Sequence, residues 1–292
     1  MITTELDIAA VKQAARNIFC TDIELERVSS GLSTYVYRIQ HDEKTYYLRA
    51  LPEDASFAAE AKAHEIMSER GVSLPKVLFY EHKNLLVDKS LMLTSEIPGR
   101  CVSHGDTNIS GVLFDAGKQL AVINSVKVTG FGWIDRDIHN TLTGKNLIFE
   151  EYFYETLYRD IDSLQQYGFD PDYIKALLDG AYPILDITDS SLVHGDFDYS
   201  HIYHLDNQYT GIIDFGEIRG SHYLYDLGHF KLHDENNGFQ YLAKGYNEIR
   251  KLTEDDYIKI DLLALFVGLG RSKYEHYRKL IQKQLDIIKN KM

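Results

Sequence analysis

The chain has 292 residues, more than one ordinary domain of about 100 to 200 residues, so its length favours two domains or one large domain. Hydrophobic residues make up 44% of the sequence and charged residues 26%, which excludes a disordered, collagen-like or low-complexity protein. The formal net charge of −13 would repel nucleic acid and anionic lipid and would attract cationic small molecules. Only Cys20 and Cys101 are present, which excludes a disulfide framework.

The location predicted from the sequence is the cytoplasm. No run of about 18 apolar residues occurs, and the N-terminal sequence has neither the basic start nor the apolar stretch of a signal peptide. We therefore expect a monomer with reduced cysteines, without a membrane or nucleic-acid partner.

The first hundred residues predict two helices. One spans residues 4–17, where Thr4 can cap the first backbone donors. The other lies between Ser56 and Gly71, where strong helix formers follow a possible Ser cap and precede a Gly stop.

The same region predicts a sheet of about five strands. Alternating apolar and polar residues over 35–39 and 45–49, separated by a polar turn, indicate an antiparallel hairpin. Apolar runs at 77–80, 85–87 and 91–93 would complete the sheet. This half is therefore β-rich.

Beyond Pro98-Gly99 the pattern becomes helical. Apolar residues recur at helical spacing over 153–164 and again over 253–288. The first 100 residues carry 12 basic and 15 acidic residues, a net −3, which leaves 19 and 29, a net −10, for the rest. We predict an N-terminal domain over 1–96 and a C-terminal domain over 97–292, with a hinge at about 94–100.

One β-rich insert stands out within the helical part. Two apolar runs between Leu192 and Gly216 flank a polar turn at 206–208, which predicts a buried hairpin. Asp196 precedes the first run and Asp214 closes the second, so the hairpin would bring both carboxylates to one end. A carboxylate that accepts a hydroxyl proton, beside one that holds a divalent metal, is what phosphoryl transfer requires.

With these motifs, the chain resembles the aminoglycoside phosphotransferases, a kinase-like family that includes macrolide and choline kinases. The resemblance covers nearly the whole length and implies a bilobal α+β fold with a β-rich N-terminal lobe and a mainly helical C-terminal lobe. It implies that Asp196 of His194-Gly195-Asp196 is the catalytic base and that Asp214 binds Mg²⁺. Oxygen ligands of this kind suit a hard cation.

The loop departs from the family pattern at one position. The family usually has a metal-binding Asn five residues after the base, and here that residue is His201. Imidazole matches magnesium less well than an amide oxygen, so His201 would bind metal, contact phosphate or order the loop. The resemblance also implies that His194 and Asp226 order the loop.

The β-rich half carries the nucleotide-binding residues that the resemblance implies. Gly31 to Thr34 resembles the turn that covers the nucleotide, which assigns Ser33 and Thr34 to it. Arg49 stands where a phosphate-binding Lys is expected, with Glu60 on the next helix as its ion-pair partner. Backbone groups of the segment Ser95, Glu96 and Ile97 would bind the base of ATP or GTP.

Two other interpretations are weaker. A second His-Gly-Asp sequence at 104–106 leads into a helical pattern, with no apolar hairpin after it, and is interpreted as a chance match. His194, His201 and His204 are close in sequence, but no cysteine or His-Glu-x-x-His pattern accompanies them, so we do not predict a zinc site.

The function predicted is transfer of the γ-phosphate of ATP or GTP, with Mg²⁺, to a hydroxyl of a cationic aminoglycoside, which confers antibiotic resistance. The net −10 of the C-terminal part agrees with a polycationic acceptor, and Asp198, Asp234 and Glu235 are its predicted contacts. The alternatives are a kinase of the same fold for a macrolide, another antibiotic or a small metabolite alcohol, and a catalytically inactive nucleotide-binding module.

Overall fold

The computed structural model of the chain describes residues 5–28, 33–103, 105–139 and 141–291. They fall into two compact units. The N-terminal unit comprises residues up to 98 together with 135–142 and 210–216, and the C-terminal unit comprises the remainder. The sequence predicted a single division after residue 96, whereas the two units are interleaved along the chain. No helix of the described ranges is long and apolar enough to cross a membrane.

The N-terminal unit is built on an antiparallel five-stranded sheet of order β1-β2-β3-β5-β4. Its elements are, in chain order, α1 (Ile8–Phe19), β1 (Leu25–Arg27), β2 (Tyr35–His41), β3 (Lys44–Ala50), α2 (Ala58–Glu69), β4 (Val77–Glu81) and β5 (Leu91–Ser95). The predicted hairpin is confirmed as β2 and β3, which pair from Tyr35 with Ala50 to His41 with Lys44. The turn residues Asp42 and Glu43 have positive φ, as tight hairpin turns require.

Side chains along β3 alternate between the two faces of the sheet, and this alternation determines the face on which Arg49 lies. Leu48 and Ala50 are fully buried in the core that β2, β3 and β5 share with α1. Arg49 therefore points to the opposite face of the sheet, where its guanidinium lies over the ring of Phe57. The central strand β3 thus places a buried cation on the α2 side of the sheet.

Two predicted elements of this unit differ from the structure. Helix α1 begins after Asp7, whose side chain accepts a bond from the N–H of Ala9 (2.9 Å); Thr4, the predicted cap, lies outside the described residues. The strand predicted at 85–87 is wrong. The side-chain oxygen of Asn84 accepts the N–H groups of Leu86 (3.0 Å) and Val87 (3.1 Å), which folds this apolar run into a turn.

From residue 99 onward the chain is mainly helical, which confirms the predicted fold class. Its elements are β6 (Arg100–Cys101), α3 (Ser110–Ile123), β7 (Phe131–Ile134), β8 (Gly144–Asn146), α4 (Phe149–Ile161), α5 (Pro171–Leu185), β9 (Ser191–Val193), β10 (Ile202–Leu205), β11 (Gln208–Ile212), β12 (Arg219–Ser221), α6 (Tyr225–His233), α7 (Phe239–Ile249), α8 (Glu254–Leu269) and α9 (Glu275–Lys291). Short 3₁₀ turns cover Asp162–Tyr167, Tyr199–His201 and Phe215–Glu217.

Two small sheets lie in the C-terminal unit. Strands β8, β7, β12 and β9 form one in that order, and β6 pairs with β10. Asp206 and Asn207, with positive φ, form the turn that follows β10. The helical stretch predicted over 253–288 is interrupted by a turn after Gly270, which separates α8 from α9 and contains Arg271.

Candidate active site

The loop of His194, Gly195 and Asp196 is held by one buried carboxylate of the C-terminal unit. Asp226, in the first turn of α6, accepts the backbone N–H groups of His194 (2.8 Å) and Gly195 (3.0 Å), and the side-chain amide of Asn124 donates to it as well (2.9 Å). Burial raises the pKa of Asp226 against the effect of these bonds. Within the loop, Nδ1 of the buried His194 accepts the N–H of Asp196 at 3.4 Å. These bonds give the predicted loop-ordering roles of His194 and Asp226 a structural basis.

Gly195 allows the loop to pass close to another backbone segment. Its φ is +87°, and a Cβ atom there would lie 2.0 Å from the carbonyl oxygen of Glu217. Both the left-handed conformation and the close approach require glycine. The middle position of the loop is therefore fixed by space as well as by conformation.

The Asp196 carboxylate is held through one oxygen. Its Oδ1 lies 3.2 Å from Nε2 of His229 and 3.1 Å from Nη2 of Arg271. Burial alone would raise the pKa of Asp196, but the His229 contact and the positive charge of Arg271 hold it well below its ordinary value. Among the described residues the ion pairs of this carboxylate fall on Oδ1, and the side chain is 36% exposed, so Oδ2 is available to a ligand.

A chain of charges of alternating sign extends from this point. Arg271 also donates to the carbonyl of Gly195 (3.3 Å) and lies 3.5 Å from Glu217. The Glu217 carboxylate is paired with Arg219 (2.8 Å), whose guanidinium covers the ring of Trp133 at 4.0 Å from its centroid. Two guanidinium groups therefore lie beside the loop and pair with Asp196 and Glu217, although the unit as a whole is acidic.

In the N-terminal unit the predicted ion pair between Arg49 and Glu60 is present. The two side chains are hydrogen-bonded, with residue exposures of 9% and 6%, and Glu60 also lies 3.9 Å from Nε2 of His64. A pair this well buried holds its guanidinium in one place. That this guanidinium contacts nucleotide phosphates stays a prediction.

Asp214 belongs to the N-terminal unit and follows β11. It has a positive φ of 64°, and its Oδ1 lies 3.6 Å from Nη2 of Arg49. Its side chain is 49% exposed, so the carboxylate can reach a solvated ligand. Asp196 belongs to the other unit, and the expectation that the two carboxylates meet at one end of the hairpin stays a prediction.

The loop residues after Asp196 cap a short turn. Asp198 accepts the N–H of Ser200 at 2.8 Å and its hydroxyl at 2.5 Å, and Nδ1 of His201 lies 3.5 Å from the same carboxylate. The His201 ring is largely buried and lies 5.2 Å from the ring of His194. Asp198 thus contributes to the conformation of the loop.

The other two predicted substrate contacts, Asp234 and Glu235, follow α6. Asp234 accepts the hydroxyl of Tyr199 at 2.7 Å and the N–H groups of Gly238 and Phe239, each at 2.9 Å. It therefore orders the start of α7. Glu235 is exposed.

The predicted base-binding segment continues strand β5. The N–H of Ser95 is bonded to the carbonyl of Lys76 (2.9 Å) and that of Glu96 to the carbonyl of Thr45 (3.2 Å). These two donors are already used within the unit, and base binding by the remaining backbone groups of Ser95, Glu96 and Ile97 stays a prediction.

The turn predicted to cover the nucleotide is described only in part. Gly31 and Leu32 lie outside the described residues, as does His104 of the second His-Gly-Asp sequence. Ser33 is exposed and Thr34 is buried, and they lead directly into β2.

Sequence reasoning missed His229 and Arg271, which both contact the Asp196 carboxylate. His229 lies three residues after Asp226, and this proximity is the only feature of the sequence that could have identified it. Arg271 is 75 residues from Asp196 and carries no motif. Contacts at this separation depend on how α6 and the turn after α8 pack in the C-terminal unit.

The sequence profile of the phosphotransferase enzyme family (APH) matches residues 24–247, and the chain belongs to this family. It is accordingly a small-molecule kinase. No sequence among the curated proteins matches the chain.

Solved structures with the same fold include three kinds of kinase. Aminoglycoside phosphotransferase APH(4)-Ia, in a thermostable mutant form, superposes with a TM-score of 0.66 at 15% identity, over 95% of this chain and 94% of that one. A putative fructosamine-3-kinase from Thermobifida fusca gives 0.69 at 18% identity, over 95% and 98%. Macrolide 2'-phosphotransferase MphH from Brachybacterium faecium gives 0.60 at 14% identity, over 95% and 98%. Another structure of the first enzyme is a ternary complex with ADP and hygromycin B.

Proposed function

We propose that the chain transfers the γ-phosphate of ATP or GTP to a hydroxyl group of a small acceptor, with Asp196 as the base. The observation that carries this proposal is the state of Asp196: a carboxylate held ionised, fixed through Oδ1 and partly exposed. The acceptor oxygen forms a bond to the γ-phosphorus while the bond to the β,γ-bridging oxygen breaks. The nucleoside diphosphate leaves, and the hydroxyl proton passes to Asp196.

Residues of the N-terminal unit suit the nucleotide phosphates and Mg²⁺. Arg49 offers a fixed guanidinium, and Asp214 offers a half-exposed carboxylate next to it, an oxygen ligand of the type Mg²⁺ prefers. Bound Mg²⁺ would neutralise charge on the phosphates. In the C-terminal unit, the His201 ring is mostly buried beside Asp198, so we assign Asp214 the principal ligand role and His201 a secondary one.

The first acceptor class proposed is a cationic aminoglycoside, whose modification would confer resistance. The net −10 beyond residue 100 and the aminoglycoside phosphotransferase fold support it. A second class is favoured by a specific observation: Arg271 and Arg219 place two cations near Asp196, and they balance Asp196 and Glu217. That balance suits an acceptor with fewer positive charges than an aminoglycoside, such as a macrolide or a sugar derivative, at least as well.

The test of the function is Asp196→Asn. We expect turnover to fall by roughly two to four orders of magnitude, the usual contribution of a positioned base, with nucleotide binding almost unchanged. ADP release from MgATP and nucleotide Kd measure the two effects. Asp206→Asn, in an exposed turn, is the matched control. An Asp196→Asn enzyme with full activity would remove the assignment.

The acceptor class is tested with hygromycin B, a macrolide and a fructosamine, each against a sample without acceptor. Turnover with hygromycin B alone would support the aminoglycoside class, and turnover with either of the others would select the second class. If none of the three acceptors supports ADP release while the nucleotide binds tightly, the result would favour an inactive nucleotide-binding module.

A further inference from the structure

His229 lies against the catalytic loop with both ring nitrogens in contact. Its side chain, on α6, is fully buried. Nδ1 is 3.0 Å from the carbonyl oxygen of Phe197, and Nε2 is 3.2 Å from Oδ1 of Asp196. The ring therefore connects the backbone just after the proposed base to the side chain of the base itself.

The two contacts together require two donors. A carbonyl oxygen can only accept, so Nδ1 carries a proton that it donates to Phe197. In the neutral ring Nε2 would then present a lone pair to the carboxylate of Asp196, and a buried contact between two acceptors at this distance is unfavourable. A proton in the gap between Nε2 and Oδ1 removes the conflict.

The groups around His229 affect its pKa in opposite directions. Burial lowers the pKa of His229, whereas the contact with the Asp196 carboxylate raises it. Arg271 disfavours a charged ring, as does His233, whose ring is stacked on it with centroids 4.6 Å apart. His233 in turn contacts the Tyr277 hydroxyl through Nε2 at 3.0 Å. Both atoms that face the ring, the carbonyl oxygen of Phe197 and Oδ1 of Asp196, are acceptors, so the geometry places the shared proton on the imidazole and leaves the carboxylate ionised.

We propose that His229 is a positioning residue for Asp196: it shares one proton with Oδ1 across the 3.2 Å contact and so keeps Oδ2 turned to the acceptor. This inference rests on the proposed role of Asp196 as the base. His229 is fully buried, so in this proposal it acts only through the carboxylate. Arg271 contacts the same oxygen at 3.1 Å, so both groups favour the orientation in which Oδ1 faces them and Oδ2 does not.

Two substitutions separate the two ring contacts. His229→Gln places an amide donor near the position of Nε2 and keeps a donor beside Asp196. His229→Asn places one near Nδ1 and keeps only the bond to Phe197. We expect His229→Asn to lower kcat by about 100-fold with little change in the KM of ATP, since a misplaced catalytic group costs about that much, and His229→Gln to restore most of the loss. Equal kcat values in the two variants, or an unchanged His229→Asn enzyme, would overturn the inference.

The assay measures ADP release from MgATP in the presence of hygromycin B, a macrolide or a fructosamine. If none of these compounds is used as an acceptor, hydrolysis of ATP by water is measured instead. Asp196→Asn is measured in parallel. If Asp196→Asn retains activity, the proposed function fails; if it is inactive while His229→Asn is fully active, only the present inference fails.

A second measurement is independent of turnover. Nitrogen-15 NMR of the histidine rings distinguishes a ring protonated at both nitrogens from a neutral tautomer, and the His229→Gln spectrum assigns the signal. We expect proton density on both nitrogens of His229 in the wild type and the Nδ1–H tautomer in Asp196→Asn. The same neutral tautomer in both proteins would contradict proton sharing.

Discussion

Nη2 of Arg271 lies 3.1 Å from Oδ1 of Asp196, and its side chain is only 17% exposed. A cation in this position stabilises the ionised carboxylate and, with it, the form of Asp196 that can accept a proton. The turn between α8 and α9 therefore takes part in setting the charge of the catalytic loop.

Replacing Arg271 tests this effect. In Arg271→Gln the positive charge is lost, so the pKa of Asp196 rises and a larger fraction of the carboxylate is protonated at low pH. We expect the acid side of the kcat profile to move to higher pH, whereas Arg271→Lys keeps the charge and the profile. Profiles for the three proteins from pH 3 to 7, over the range in which each stays folded, check this, because the ordinary Asp pKa is about 3.9. Superimposable profiles for the Gln variant and the wild type would exclude the electrostatic role.

The close approach of Gly195 to Glu217 gives a second prediction. In Gly195→Ala a methyl group would lie 2.0 Å from a carbonyl oxygen, so the loop must move and carry Asp196 with it. We expect kcat to fall by about 100-fold, the effect of misplacing a catalytic group. Initial rates and the thermal unfolding midpoint measure the loss.

Gly168→Ala is its matched control. Gly168 has nearly the same φ, +86°, but a Cβ added there would meet no atom within 4 Å, so its substitution carries only the conformational strain of about 1 to 2 kcal/mol. Loss of activity in both variants to the same degree would show that strain, and not the contact with Glu217, is responsible.

The sequence predicted the parts of the fold that local patterns determine. Alternation identified β2 and β3, and helix formers between a Ser and a Gly identified α2. It failed at residues 85–87, because the Asn84 side chain competes for their backbone donors, and it missed β1, whose three residues are too few to show alternation. Short elements of this kind depend on their neighbours.

The residues of the candidate site also fall into two groups: those that local sequence patterns predict and those that only packing brings together. His194, Asp196 and Asp226 carry motif spacing, so the sequence alone predicts them as site residues. His229 and Arg271 approach Asp196 only after α6 and the turn following α8 have packed, and nothing local marks either of them as a partner of a carboxylate. The same packing explains why Asp234, predicted to contact substrate, accepts bonds from the start of α7.

The buried pair of Arg49 and Glu60 predicts a loss of stability when one partner is removed. Glu60→Gln leaves a buried guanidinium without its main counter-charge and should lower the free energy of unfolding by about 3 kcal/mol. The KM of ATP should rise as well, because the guanidinium is no longer held in place. Urea unfolding and initial rates measure these effects.

The control for that pair is Glu65→Gln, which breaks the exposed pair with Lys62 on the same helix. We expect little change, since solvent screens exposed pairs. Arg49→Lys keeps the charge but loses the planar fork of the guanidinium. Its stability and its KM for ATP should lie between those of the wild type and Glu60→Gln. An Arg49→Lys protein with wild-type stability and KM would show that the fork geometry is not used.

Metal dependence distinguishes Asp214 from His201. Asp214→Asn removes a carboxylate charge, so half-maximal activity should need a higher Mg²⁺ concentration, while Asp206→Asn should leave the Mg²⁺ titration unchanged. His201→Asn exchanges imidazole for an amide oxygen and should shift the preference between Mg²⁺ and Mn²⁺ if His201 binds the metal. An unchanged Mg²⁺ titration for Asp214→Asn would exclude its ligand role, and an unchanged metal preference would leave His201 a loop residue.

His222 gives a prediction for stability against pH. Its side chain is fully buried, its Nδ1 accepts the N–H of Leu224 at 3.1 Å, and burial lowers its pKa to about 3. The unfolded chain, with an ordinary His pKa of about 6.5, binds a proton first as the pH falls. The stabilisation is therefore complete above about pH 6.5 and is lost towards pH 3, with about 2 kcal/mol lost by pH 5. His222→Asn keeps an acceptor near the position of Nδ1 and cannot titrate, so its unfolding free energy should fall less than that of the wild type between pH 7 and pH 5. Urea unfolding at the two pH values measures the difference, and equal losses in the two proteins would show that His222 is already charged in the folded state or does not respond to pH there.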